Sequence, residues 1–189
     1  MKIVAFGYKS RSGKDTAAKM LVQKARLCGR FNNVQHVPFA RKLKQIAKDL
    51  FGIYGLQDGG FYEKKENEHL RDVRLSGIDR TPVQLWIALG NGLRELTHEF
   101  LWIDHVLSTK CDLLVISDMR YPNEFKMVRE RGGLTIKMLR DSAVEKGSDK
   151  YLDTVPDRMW DRIIDNNFGL PALDTAMDSI IEILTGDTK

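Results

Sequence analysis

Cysteine is scarce in this sequence, with two residues in 189. Cys28 and Cys111 lie far apart and form neither a Cys-x-x-Cys pair nor a zinc-ligand spacing, which argues against a disulfide scaffold and against a zinc site. We expect buried or half-buried free thiols of a reducing compartment. The four histidines, His36 among them, also lack ligand spacing, and we interpret them as structural or surface residues.

Long hydrophobic runs are missing, and the longest ones are far too short to cross a bilayer. A strand is predicted from the second residue onward, which leaves no room for a signal peptide, so we expect a cytoplasmic protein without a membrane partner. The net charge of +4 comes without the basic block of a nucleic-acid-binding tail. The basic excess suits phosphate-rich ligands, and equally an ordinary basic surface.

Strand-like and helix-like segments alternate along the chain. This order predicts an α/β protein with a mostly parallel sheet between two layers of helices, and ligands at the carboxyl ends of the strands. The length predicts one domain, 1–189. Residues 53–80 mix glycines, aromatics and charges, which indicates either an insertion over the site or a surface helix with loops. Predicted strands cover 3–6, 34–39, 112–117, 134–139 and 163–164; predicted helices cover 14–27, 40–51, 81–93, a stretch reaching 107, 123–131 and 172–184.

The first sixteen residues have the layout of a phosphate-binding P-loop. An apolar run ends at Gly7, a polar loop follows, and Gly13-Lys14 opens a helical pattern. Backbone amides of such a loop and of the helix N-terminus point into one concavity that favours a polyphosphate. Lys14 is expected to reach the β- and γ-phosphates. The predicted ATP-binding residues of the loop are Lys9, Arg11, Ser12, Gly13, Lys14, Asp15 and Thr16.

The loop departs twice from the strict motif G-x-x-x-x-G-K-[ST]. The strict motif has glycine at the position of Tyr8, whereas the nearest glycine is Gly7, which leaves one extra residue before Gly13. Asp15 follows the lysine, where a hydroxyl normally holds Mg²⁺, and Thr16 comes next. Asp15 and Thr16 are therefore candidate Mg²⁺ ligands.

A second polar group follows the apolar strand 112–117. Asp118 stands where a Walker B carboxylate organises Mg²⁺, and Arg120 and Glu124 come shortly after it. We predict that this group binds anions and a metal; the alternative is a loop that caps the next helix, with Asp118 and Arg120 paired. The chain has no Asn-Lys-x-Asp motif, which argues against a GTPase that reads guanine.

Three further cations stand at positions suited to phosphates. Lys44 lies on the helix after the second strand and is a candidate for a second phosphate site, or a solvated lysine. Arg94 follows a glycine-broken helix, and Arg140 ends the strand 134–139, where an arginine suits an adenine ring or a triphosphate. Two phosphate sites with several cations favour phosphoryl transfer between two phosphorylated ligands.

These residues resemble the deoxynucleoside monophosphate kinases of tailed bacteriophages, a branch of the P-loop nucleoside monophosphate kinases. The resemblance covers nearly the whole chain through short segments in matching order. Asn91 stands where those proteins have threonine, and Val83 where they often have arginine. The matching segments are 11–16 (R-S-G-K-D-T), 39–44 (F-A-x-x-L-K), 89–94 (L-G-T-x-x-x-R), 118–124 (D-x-R-x-x-x-E) and Asn166 in an I-x-N turn.

The resemblance implies a P-loop kinase fold and ATP- and Mg²⁺-dependent phosphorylation of deoxynucleoside 5′-monophosphates, with a homodimer as one assembly. It implies catalytic roles for Lys14, Arg120 and Asp118, and a lid over 140–156 that excludes water. Alternatives are another small-molecule P-loop kinase, acting on dephospho-coenzyme A or gluconate, and a nucleotide-binding regulatory or DNA-associated protein. Predicted metal ligands are Asp15, Thr16 and Asp118, ATP also contacts Arg140, and predicted acceptor-binding residues are Phe39, Lys44, Trp86, Asn91, Arg94, Asp118, Arg120 and Glu124.

Overall fold

The structure is a computed structural model that describes residues 1–143 and 147–186. Within these residues 3-10 helices cover Gly52–Tyr54, Lys65–Asp72, Gly147–Thr154 and Asp157–Met159. The strands and α-helices are, in chain order, β1 (Lys2–Gly7), α1 (Lys14–Leu27), β2 (Val34–His36), α2 (Ala40–Phe51), α3 (Gly59–Glu63), α4 (Pro82–Leu96), α5 (Leu101–Leu107), β3 (Leu113–Met119), α6 (Pro122–Glu130), β4 (Leu134–Leu139), β5 (Arg162–Asp165) and α7 (Gly169–Thr185).

The chain forms two compact units. Unit 1 comprises Met1–Pro38 and Ser108–Lys189, and unit 2 comprises Phe39–Leu107. The strands of the described residues all belong to unit 1, whereas α2 to α5 make up unit 2. Residues 53–80, for which we predicted an insertion, fall inside unit 2, and the predicted lid falls inside unit 1.

The sheet of unit 1 has five strands in the order β2-β3-β1-β4-β5 within the described residues, and every neighbouring pair is parallel. The central strand β1 pairs with β3 on one side and β4 on the other, so the strand order reverses at β1. At its carboxyl end Gly7 is in register with Met119 and with Lys137. This switch point is where open parallel sheets bind ligands.

Apolar residues fill both faces of the sheet because side chains alternate along a strand. Val4, Phe6 and Val115 pack with α1 and α7 in one cluster. On the other face, a side chain at Gly133 would lie 2.7 Å from Val128 of α6 and 3.1 Å from Ile3, so glycine permits this close approach. Helices therefore flank the sheet on both faces, and the α/β class predicted from the sequence is confirmed.

Unit 2 is built from helices around its own small core. Ala47, Leu56, Tyr62 and Leu85 are buried together. Helix α4 begins as the sequence predicts, because the Thr81 hydroxyl accepts from the Gln84 amide at 3.2 Å while the Gln84 side chain accepts from the Thr81 amide at 3.0 Å. Proline at the first helical position adds to this start signal.

Several boundaries differ from the prediction. Strand β3 continues to Met119, so Asp118 lies within the strand and does not follow it. Strand β2 ends at His36 and does not reach residue 39, since the proline at position 38 has no amide to donate to the ladder. Residues 144–146 of the predicted lid lie outside the described residues.

Two sequence-based expectations about the surface can be compared directly. Cys111 is half-buried as expected, whereas Cys28 is exposed, and both are free thiols. In the described part of the chain, no helix combines the length and the apolar character needed to cross a membrane.

Candidate functional site

The loop between β1 and α1 has a left-handed backbone at three of its six positions. The φ angles are +95° at Tyr8, +62° at Arg11 and +96° at Gly13. Tyr8 thus adopts the conformation that glycine provides at this position of the strict motif. The loop from Tyr8 to Gly13 has the strict motif's six residues, so the extra residue expected from the sequence is instead a tyrosine in the place of a glycine.

Gly7 is needed for a different reason. A side chain at this position would lie 2.8 Å from the Trp160 ring and 2.9 Å from the Met119 methyl group. The end of β1 therefore passes close to both residues, and the sharp turn begins one residue later, at Tyr8. This explains why the glycine stands one position earlier than the motif requires.

Lys14 folds back onto the loop that precedes it. Its ammonium group donates to the backbone carbonyl of Tyr8 at 3.0 Å, to the carbonyl of Lys9 and to the Ser12 hydroxyl at 3.3 Å. Only 8 % of the residue is exposed. Its positive charge is therefore held at the loop, where a bound polyphosphate would meet it.

Asn166 fixes the loop from the end of β5. Its side-chain amide donates to the Ser12 carbonyl at 3.0 Å, and its backbone amide donates to the Leu139 carbonyl at 2.8 Å. A side chain at Gly13 would lie only 2.2 Å from the Asn166 amide nitrogen. Glycine is thus required at position 13 both for its φ angle and for this approach.

A cavity of about 150 Å³ opens beside the loop. Three predicted ATP-binding residues line it: Gly13, Thr16 and Arg140. The Asp141 amide donates to the Asn167 side chain at 3.0 Å and so links the ends of β4 and β5 along one wall. The cavity is lined by Gly13, Thr16, Arg140, Asn166, Asn167, Gly169, Leu170 and Leu173.

A chain of three polar side chains joins α1, β3 and β2. The Ser117 hydroxyl donates to Oδ1 of Asp15 at 2.6 Å, and Nε2 of His36 lies 2.9 Å from the same hydroxyl. Sequence reasoning missed Ser117 and interpreted His36 as structural or surface. The available signal was a lone hydroxyl at the end of the apolar run 113–116.

Asp118 and Glu124 have different surroundings. Asp118 is half-buried in β3, at the point where the pairing register with β1 shifts by one residue. Glu124 is buried, and its carboxylate accepts from the backbone amides of Arg120 at 2.7 Å and Tyr121 at 3.0 Å. The alternative interpretation, a loop that caps the next helix, thus describes Glu124; acceptor binding by Glu124 stays a prediction.

Lys137 is a buried cation that the sequence analysis overlooked. Its ammonium group lies 4.0 Å from the centroid of the Tyr8 ring and 2.6 Å from a carboxylate oxygen of Asp157. Burial raises the pKa of the Tyr8 phenol, and a hydrogen bond to Asp153 raises it further. Asp153 of the predicted lid is thus bonded to the loop between β1 and α1, and Tyr151 of the same segment stacks on Tyr121 at 5.4 Å between ring centroids.

Unit 2 contains two pairs among the predicted acceptor-binding residues. The Lys44 ammonium lies 5.3 Å from the Trp86 ring and 3.2 Å from Glu63. The Arg94 guanidinium donates to the Asn91 side chain at 2.6 Å. Phe39, the remaining member of this set in unit 2, is buried.

The Trp86 pair carries an unusual polar atom. The indole nitrogens of Trp86 and Trp160 are buried, and neither has a hydrogen-bond partner among the described residues. By contrast, the indole nitrogen of Trp102 donates to the Gly90 carbonyl at 3.2 Å. A buried donor without a partner is uncommon and marks Trp86 as a position where a ligand acceptor group would be favourable.

A metal ion held by protein side chains alone does not fit these residues. In residues 1–143 and 147–186, no group of three or more histidine, cysteine, aspartate or glutamate side chains could hold one. Mg²⁺ usually keeps several waters and binds through one or two carboxylates together with substrate phosphates. The fixed Asp15 carboxylate at the loop fits that mode.

The comparisons with known proteins bear on the fold. No protein-family model and no curated protein matches this chain. It is similar to the solved structure of shikimate kinase from Acinetobacter baumannii in complex with shikimate, with 14 % sequence identity and a TM-score of 0.51, over 100 % of this chain and 95 % of that one. This likeness supports the all-parallel α/β fold.

A second solved structure aligns over 99 % of both chains with 17 % identity. It is a Borrelia burgdorferi B31 protein, named for plasmid partition and bound to AMPPNP. Its TM-score of 0.37 is too low to indicate the same fold.

Proposed function

We propose that this protein is a kinase that transfers the γ-phosphoryl group of ATP to deoxynucleoside 5′-monophosphates. The observation that carries the proposal is the loop from Tyr8 to Gly13, with its three left-handed residues and with Lys14 bonded inside it. It stands at the carboxyl end of the central strand, at the start of a 14-residue helix. A polyphosphate is the ligand that suits such a loop.

ATP fits unit 1 in two further respects. Gly13 caps α1 without a side chain, so the amides of the first turn suit an anion. The adjacent cavity offers apolar groups of Leu170 and Leu173, the Arg140 guanidinium and the amide of Asn167. We assign this cavity to the adenine base, with Arg140 over or beside the ring.

The acceptor is assigned to residues of unit 2. The Lys44 and Trp86 pair combines a cation with an aromatic face and an unpartnered donor. The Asn91 and Arg94 pair adds a second cation with an amide. Phosphate and nucleobase are the groups that cations and aromatic faces recognise. The resemblance to phage deoxynucleotide kinases supports the same assignment.

The chemistry asks for positioning and positive charge. An oxygen of the acceptor phosphate attacks the γ-phosphorus, the bond from this phosphorus to the bridging oxygen breaks, and ADP leaves. Lys14 and Arg120 would stabilise the charge that spreads over the transferred group. No general base is required, because the acceptor phosphate is already anionic. Mg²⁺, held near Asp15, Thr16 or Asp118, would neutralise further charge on the phosphates.

An acceptor panel tests this function. The purified protein is incubated with ATP, MgCl₂ and each deoxynucleoside monophosphate, and nucleoside diphosphates are separated by ion-exchange chromatography. We expect a deoxynucleoside diphosphate from at least one deoxynucleotide, and no acceptor-stimulated formation of ADP with gluconate or dephospho-coenzyme A. Turnover of one of those two acceptors alone identifies a different small-molecule kinase. Salt-dependent DNA binding without acceptor-stimulated ATP turnover indicates a DNA-associated protein instead.

A further inference from the structure

The three-residue chain from His36 through Ser117 to Asp15 has a fixed direction. A carboxylate only accepts hydrogen bonds, so the Ser117 hydroxyl donates its single proton to Asp15 at 2.6 Å. The Ser117 oxygen must then accept from His36 at 2.9 Å. Nε2 of His36 therefore carries a proton. In a neutral imidazole this is the Nε2–H tautomer.

The residues of this hydrogen-bonded group differ in burial. Ser117 is 1 % exposed and lies within β3, directly after the fully buried residues Leu113 to Ile116. A hydroxyl at such a position is costly unless it is hydrogen-bonded. Asp15 is exposed, yet the buried serine holds one of its oxygens. These hydrogen bonds thus connect an exposed carboxylate to a buried side chain of unit 1 and restrict its orientation.

The position of Asp15 suggests why a restricted orientation of its carboxylate matters for binding. It is the residue directly after Lys14, where the strict motif has a hydroxyl that binds Mg²⁺. An aspartate side chain has one more heavy-atom torsion than serine. Fixing its carboxylate when a ligand binds therefore costs more conformational entropy. A hydrogen bond to one oxygen restricts the carboxylate before a ligand arrives. Bonds from a donor to a carboxylate are stronger than those between neutral groups.

We propose that Ser117 and His36 are positioning residues that orient Asp15 toward the metal ion of a bound Mg²⁺–nucleotide. The proposal rests on the proposed function, because it assumes that unit 1 binds a nucleotide with Mg²⁺. Ser117 acts directly on Asp15, and His36 acts through Ser117. Partners of this kind around metal ligands typically change metal affinity 10- to 100-fold when they are removed.

The tautomer of His36 is the first test and needs no nucleotide. Two-bond ¹H–¹⁵N correlation spectra of ¹⁵N-histidine-labelled protein, above the histidine pKa, report which ring nitrogen carries the proton. We expect the Nε2–H form in the wild type and a shift of the His36 signals in Ser117→Ala. Ser179→Ala, a serine-to-alanine change on α7, is the matched control and leaves them unchanged. A wild-type His36 protonated at Nδ1 alone overturns the proposed chain.

The second test measures nucleotide binding by isothermal titration calorimetry with a non-hydrolysable ATP analogue, with and without MgCl₂. We expect Ser117→Ala and His36→Leu to weaken binding about 10-fold in the presence of Mg²⁺ and to leave Mg²⁺-free binding unchanged. His36→Gln, whose amide nitrogen can replace Nε2 as donor, restores most of the affinity. A thermal melt of each variant reports whether it folds.

The outcomes separate this inference from the proposed function. If Mg²⁺ strengthens nucleotide binding to the wild type and both variants behave like the wild type, Asp15 needs no positioning and the inference is wrong, while the kinase proposal stands. If the wild type binds no nucleotide, or binds it without any effect of Mg²⁺, both proposals fail. Equal losses with and without Mg²⁺ in folded variants indicate a general loop defect and also overturn the inference.

Discussion

The ammonium group of Lys137 lies 4.0 Å from the centroid of the Tyr8 ring. Lys137 reaches this position because β4 pairs with β1 in a register that sets it opposite Gly7. The ring belongs to a residue whose backbone is in the left-handed region, at φ +95°. A buried cation thus covers the residue that makes the sharpest departure from the P-loop motif.

The contact between Lys137 and Tyr8 should stabilise the folded protein. We expect Lys137→Met, which keeps most of the apolar stem, to lower the free energy of unfolding by about 1–2 kcal/mol, since it removes both the desolvated cation over the Tyr8 ring and the 2.6 Å ion pair with Asp157. Urea denaturation measures the change. Lys126→Met on α6 is the control, because Lys126 is exposed in an i,i+4 pair and should change stability by less than about 0.5 kcal/mol. Equal effects of the two substitutions would contradict a specific role for the buried contact.

The backbone of Tyr8 allows a paired comparison. Tyr8→Gly and Tyr8→Ala both remove the ring from Lys137, but only alanine keeps a Cβ atom in the left-handed conformation. We expect Tyr8→Gly to be more stable than Tyr8→Ala by about 1 kcal/mol, because this conformation costs a residue with a Cβ on that order. Thermal and urea unfolding of both variants check the ranking. Greater stability of the alanine variant would show that the loop relaxes away from φ +95°.

Tyr8 also shows what the sequence could and could not predict. Apolar strands, helical periods and the Thr81-Pro82 start signal determine local structure, so the α/β class and most boundaries followed from the residues alone. The conformation at Tyr8 did not, because a positive φ at a non-glycine residue depends on the surrounding loop and on the Lys137 contact from another strand.

The candidate site divides in the same way. The Gly13-Lys14 turn could be located from its flanking strand and helix. The partners of Asp15 could not, since His36 and Ser117 meet only after β2 and β3 pair in register. Asn166 was identified only through the family resemblance. Its bond to the Ser12 carbonyl depends on the path of β5, which no local sequence pattern indicates. Long-range contacts between strand ends leave no local pattern.

Gly13 should be the least replaceable residue of the loop. In Gly13→Ala the new methyl group would meet the Asn166 amide at 2.2 Å while the backbone is held at φ +96°. We expect nucleotide affinity to fall more than 10-fold, because either the loop or Asn166 must move, and fluorescence titration with a labelled nucleotide measures the loss. Gly29→Ala is a matched control: its φ is +67°, but nothing lies within 4 Å of the new methyl group. The proposed cradle would be wrong if both variants bound nucleotide equally well.

Asp161 should make stability depend on pH in the acid range. Burial by itself raises the pKa of this carboxyl, but hydrogen bonds from the Thr135 hydroxyl and amide and the charge of Arg129 outweigh it and lower the pKa below its usual value of 3.8. The folded state therefore binds this proton less readily than the unfolded state. The stabilisation is fully present above about pH 4 and is lost as the pH falls through the lowered pKa.

Urea unfolding between pH 2.5 and 6 tests this effect. We expect the free energy of unfolding of the wild type to fall below pH 4 more steeply than that of Asp161→Asn, which cannot titrate. At pH 6 the wild type should be the more stable protein, because asparagine cannot accept hydrogen bonds from both Thr135 and Arg129 as the carboxylate does. Parallel pH curves for the two proteins would show that Asp161 does not contribute to the acid dependence.

Lys14 gives the most direct test of the proposed chemistry. Its ammonium is bonded to the loop carbonyls, so Lys14→Ala removes both a tie of the loop and the charge assigned to the transferred phosphoryl group. We expect kcat to fall by about 10³-fold or more, since charge placed at the transition state is worth that much in phosphoryl transfer and in related sites. Lys24→Ala, which removes a lysine paired with Asp174 and Asp178 on α7, is a control for loss of a lysine from the same helix and should leave kcat within about twofold. Diphosphate formation with saturating ATP and deoxynucleotide measures both variants, and near-normal turnover of Lys14→Ala would rule out the phosphate loop as the site of catalysis.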